Sequence, residues 1–109
     1  MAIDIQGLAQ QMLSVALPIL KQGAQNVESF AKVEFTKIAQ TIASIGEQFA
    51  SEQINQEQAS LLLDMQTSAS RNVLLTLQGL SLLAVEQAIN AALGVVKTTV
   101  NTAVGFALI

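Results

Sequence analysis

The groups in this chain with most scope for proton or cation chemistry are its carboxylates: Asp4, Glu28, Glu34, Glu47, Glu52, Glu57, Asp64 and Glu86. Acid–base catalysis or a carboxylate metal site needs two to four of them converging in a pocket. Their spacing forms neither an EF-hand loop nor a Glu-x-x-His motif, and there is no histidine to complete one. Cysteine, tryptophan and tyrosine are absent too, which removes the imidazole base, the thiolate nucleophile and the soft metal ligands. Glu47, Glu52 and Glu57 gather around one interhelix turn, where solvated charge is expected. Gly79, Gly94 and Gly105 stand alone and make no phosphate-binding loop. The cations Lys21, Lys32, Lys37, Arg71 and Lys97 are scattered in a chain of net charge −3, so no track for nucleic acid exists. The sequence points to no enzyme, cofactor, metal or small-molecule substrate.

Glu86 stands apart because of its neighbourhood. From Val73 to Ile109 only Glu86 and Lys97 carry a formal charge. A carboxylate in such a stretch reads either as a channel-lining or intramembrane group, or as part of a stripe facing water or a lumen. Glu86, Asn90, Lys97 and Asn101 form such a narrow polar line, and the second reading is the simpler. Charged residues make up 12% of the chain, about half the usual share. Thirteen glutamines carry much of the polarity instead. A chain of 109 residues has too much surface for its volume to hide so apolar a segment unaided. Another copy, a partner or lipid must cover it.

The elements that would position these residues are helices. Asp4 is a credible N-cap, with Ile3 and Leu8 placed as a hydrophobic staple. Apolar residues recur at Ile5, Leu8, Met12 and Ile19, and Lys21 with Gly23 forms a stop signal. Pro18 should kink this first helix or end it a turn early. The second helix, capped by Asn26, carries Val27, Ala31, Phe35, Ile38, Ile42, Ile45 and Phe49 on one face, with Glu28 and Lys32 as a solvated i,i+4 pair. A turn follows, then a capping box from Asn55 to Gln58, with Ser51 as a rival cap.

Beyond Asn55 a helical pattern runs to about Asn101 without proline, weakened by Gly79 and Gly94. A lone glycine is poor evidence for a loop, so the pattern favours one long helix over two hinged near Gly79. Such a helix would span about 70 Å. Leu62, Met65, Ala69, Val73, Leu77, Leu80, Ala84, Ala88, Ala91 and Val95 repeat at close to the eleven-residue period. Leu75, Leu82, Ile89 and Val96 repeat every seven and form the candidate self-association row, with Gly94 allowing close helix approach. Asn90-Ala91-Ala92-Leu93-Gly94 returns eleven residues later as Asn101-Thr102-Ala103-Val104-Gly105. This unit resembles the eleven-residue repeats of lipid-surface proteins such as the synucleins, over less than a fifth of the chain and without their repeated lysines. The resemblance implies a lipid surface as partner.

The expected fold is all-α, a single domain over 1–109. Two amphipathic helices, about 4–22 and 27–50, accompany a long apolar third helix, about 55–101, with Gly79 as its weak point. The hairpin or bundle they form should associate with other copies. The expected function is a non-enzymatic structural subunit that assembles into an oligomer, tube or filament. The alternative is a membrane-active helical protein, a lysis, pore-forming or lipid-coating component. Met1-Ala2-Ile3-Asp4 lacks the basic region of a cleavable signal. The apolar windows, broken by Gln78, Glu86, Gln87 and Lys97, fall short of the roughly 20 residues that a span needs. Both a cytoplasmic protein and leaderless export fit.

Overall fold

Each helix begins or ends where a short polar side chain can serve an orphan backbone group. The computed structural model describes residues 3–21 and 27–109. It contains α1 (Ile5–Lys21), α2 (Glu28–Ala50), α3 (Gln56–Leu75) and α4 (Leu82–Val104), and no strand among the described residues. The Asp4 carboxylate accepts from Gly7 N at 3.1 Å, opening α1. Asn55 Oδ1 accepts from Gln58 N at 2.8 Å while Gln58 Oε1 accepts from Asn55 N at 3.0 Å, a complete capping box. Ser51 instead closes α2, its hydroxyl donating to the Glu47 carbonyl at 3.0 Å. The expected Asn26 cap and Gly23 stop lie outside the described residues.

Four helices pack into a compact all-α globule of 42 × 22 × 18 Å. Near one end, the start of α1 meets the ends of α2 and α4: a side chain added at Gly46 would touch Ile3 and Val104. The rings of Phe49 and Phe106 meet there at a tilt of 45°, with centroids 4.5 Å apart. Neighbouring helices therefore alternate in direction around the bundle. Met12, Ala16 and Leu20 of α1, Phe35, Ile38, Ile42 and Ile45 of α2, and Val85, Ile89, Val96 and Val100 of α4 fill the core. Burial at about 25 cal/mol per Å² of apolar area is the main force holding them.

Three expectations are corrected. The helix after Asn55 is not continuous, because α3 ends at Leu75 and α4 starts at Leu82. Thr76 donates its hydroxyl to the Val73 carbonyl at 2.6 Å, Gly79 turns the chain at φ +95°, and Ser81 Oγ accepts from Ala84 N at 3.1 Å. Leu80 and Val85, flanking that cap at N′ and N4, stand at the positions of a staple. These caps replace the helical bonds lost at the break, and Leu74 just before it is fully buried in the core to which α4 also contributes. Second, of the two effects expected of Pro18 the early end is absent: α1 continues to Lys21, with Pro18 exposed. Third, Glu28 lies 3.7 Å from Lys21 of α1 rather than pairing along its own helix with Lys32.

Candidate functional site

The two residues that sequence periodicity would turn inward most readily on α3, Leu62 and Met65, point outward. The inner face of α3 is instead Ala59, Leu63, Thr67, Ser70 and Leu74, a mostly small set that lets α3 lie close on α2. Its polar members are satisfied. Thr67 donates to the Asp64 carbonyl at 3.1 Å, and Ser70 Oγ accepts from Gln66 Nε2 at 3.1 Å. Thr41 of α2 donates across the seam to Gln66 Oε1 at 3.2 Å, which pins the Gln66 amide.

Outside that seam runs an open groove of about 390 Å³. Thr41, Ser44 and Gln48 of α2 form one bank, Leu62, Met65 and Ala69 of α3 the other, and Ile45 lies between them. Leu61 is 59% exposed and Met65 60%, high values for side chains of this size. Phe30 and Val33 continue the same outer face of α2 at helical spacing from Thr41 and Ser44, and both are about half exposed. The α2/α3 layer thus offers solvent a broad apolar face interrupted by hydroxyls and amides. Charge interrupts it on α2, where the half-exposed Lys37, between Val33 and Thr41 at four-residue spacing, reaches the buried Glu34 at 3.3 Å. Arg71, farther along α3, has a buried Nε with no hydrogen-bond partner. Chemically the face can bury apolar surface and offer neutral hydrogen bonds.

The candidate association row divides. Ile89 and Val96 lie in the core of their own chain, Leu75 is half-buried, and Leu82 is 53% exposed beside the still more exposed Leu83. A row with two members facing inward cannot meet a second copy along its length while α4 is docked. Gly94 is exposed, and a β-carbon added there would meet nothing within 4 Å, so it makes no close helix approach within the chain. Of the polar line, Asn90 and Lys97 are exposed and Glu86 is half-buried. Asn101 has a local task. Its Oδ1 accepts from Leu108 N at 2.9 Å and Ile109 N at 3.0 Å, folding Phe106 and Leu108 back onto the bundle after Gly105 ends α4 at φ +91°.

The outer face of α2 and α3 escaped the sequence reading because Leu62 and Met65 were placed in an eleven-residue row, while Phe30 and Val33 fall in none of the rows. The signal was present in the polar residues Thr67 and Ser70, which occupy the face that excludes Leu62 and Met65. Among the described residues no group of three or more metal-binding side chains converges, and no helix is long and apolar enough to cross a membrane. Comparison with protein-family models, with curated proteins and with solved structures finds no match to this chain.

Proposed function

We propose that this chain is a structural subunit that works by packing against further copies of itself, not by catalysis. The observation that carries the reading is the unpartnered apolar face of Leu61, Leu62 and Met65 on α3 with Phe30 and Val33 on α2. Exposed apolar side chains mixed with polar groups are characteristic of protein interfaces. The scarcity of charge supports it, since charged residues are depleted at interface centres. The groove beside Met65 supplies a concave seat, and the glutamines at its banks supply hydrogen bonds that need no counter-charge.

Light scattering across a hundredfold concentration range, with and without mild detergent, tests this. A defined or large assembly without detergent is the expected result, and Leu61→Glu with Met65→Glu should reduce it while helicity is kept. A monomer at every concentration would refute the proposal. Recovery of dispersed protein only with detergent, together with liposome binding, would transfer the role to lipid.

A further inference from the structure

We infer that copies of the chain join by straightening the loop between α3 and α4 and exchanging α4. This rests on the self-association reading and names the element that is traded. The loop from Thr76 to Ser81 has no proline, and three of its amides already make i→i+3 turns: Thr76 N to Val73 O, Leu77 N to Leu74 O and Leu80 N to Leu77 O, at 3.1, 3.1 and 3.4 Å. The left-handed glycine at position 79 marks the reversal. The apolar row Val73, Leu77, Leu80, Ala84 passes through the loop in helical phase, so a straight helix carries one unbroken stripe.

The packing favours exchange. α4 lies chiefly against α1, and α3 chiefly against α2. When the loop opens, α4 leaves its own α1 and finds the same surface on a second copy, so the closed contacts are remade between chains. Such swapping is a low-cost route to a dimer. The straightened helix, from Gln56 to Val104, would extend about 74 Å. Leu75 and Leu82, seven residues apart, then share a face. Where two straight helices cross, that face covers the Leu82 side chain that the closed chain leaves half exposed.

Position 79 reads the equilibrium with opposite signs in the two states. The closed loop needs a left-handed residue, which disfavours a β-carbon, whereas the open helix prefers alanine to glycine. Gly79→Ala should therefore shift the balance toward exchange by about 30- to 150-fold per hinge. The chain has no cysteine, so Gln11→Cys with Thr99→Cys, exposed residues lining the groove between α1 and α4, report which chain supplies α4. The double variant, with and without Gly79→Ala, is incubated concentrated in sub-denaturing urea. Its dimer fraction is then isolated and treated with a short bis-maleimide.

A covalent dimer on a denaturing gel, enriched by Gly79→Ala, is the expected result. A covalent monomer from the dimer fraction overturns exchange but leaves self-association standing. Absence of dimer in both backgrounds overturns both. Should Gly79→Ala fail to fold, a Gly-Ser-Gly-Ser insertion after Gly79 gives the complementary test. The longer loop should replace the bis-maleimide-linked dimer by linked monomer, and a cross-linked dimer at the wild-type level refutes the exchange.

Discussion

Ile89→Ala and Leu82→Ala, seven residues apart on one helix, should differ in cost several-fold. Ile89 is 2% exposed and sits in the core cluster, whereas Leu82 is 53% exposed at the first turn of α4. Truncating a buried isoleucine loses its transfer energy and leaves a cavity, about 3–4 kcal/mol. Truncating the half-exposed leucine leaves no closed cavity and should cost about 1 kcal/mol or less. Domains of this size hold about 5–15 kcal/mol in all, so the first change removes a large part of the margin. With a urea slope of about 1.5 kcal/mol per M, the midpoint should fall by about 2 M for Ile89→Ala and by less than about 0.7 M for Leu82→Ala. Urea titrations followed by far-UV circular dichroism at two protein concentrations read both values. Equal losses, with midpoints that rise with concentration, would show that the two residues act together between chains and that α4 is not docked in its own bundle.

Two further substitutions probe local devices. Glu52, in the turn between α2 and α3, holds φ +62°, and Glu52→Gly should stabilise the protein by about 0.5–1 kcal/mol after the added freedom of the unfolded chain is deducted; a calorimetric melt that falls instead would show that the Glu52 side chain has a stabilising contact. Asn101→Ala strands the amide of Ile109, leaves that of Leu108 only its bond to the Phe106 carbonyl, and should cost about 1–2 kcal/mol, with faster hydrogen exchange at Ile109. Asn101→Asp, which keeps the acceptor oxygen, should recover most of that loss.

The features legible in the sequence were local. Asp4 and Asn55 cap helices because a short acceptor lies within three residues of the amides it serves, and that geometry needs no tertiary context. The break at Thr76–Ser81 was less visible, since its parts are a threonine, one glycine and a serine that helices also tolerate. Its decisive element is long-range: α4 has α1 to lie against. The inner face of α3 was hidden for a similar reason. Thr67 and Ser70 outrank Leu62 and Met65 as core residues because α2 approaches closely there, a fact about the neighbour rather than about α3. The apolar character of Ile89 and Val96 was plain, but periodicity does not say which chain provides the covering surface.

The five-residue word that occurs twice in α4 has two different fates. At Asn90–Gly94 the helix runs through it, and at Asn101–Gly105 the same word stops the helix and latches the residues beyond. Beyond the first copy Val96 and Val100 are buried on the docked helix, and beyond the second Leu108 folds back onto the core. The chain therefore holds an adjustable ruler. Eleven residues turn a helix by nearly three whole turns, so inserting one more unit would move the stop outward by about 16 Å and rotate the buried face by only about 20°. The ending would travel with its own latch, and the rod could be graduated in fixed steps without redesigning its tip.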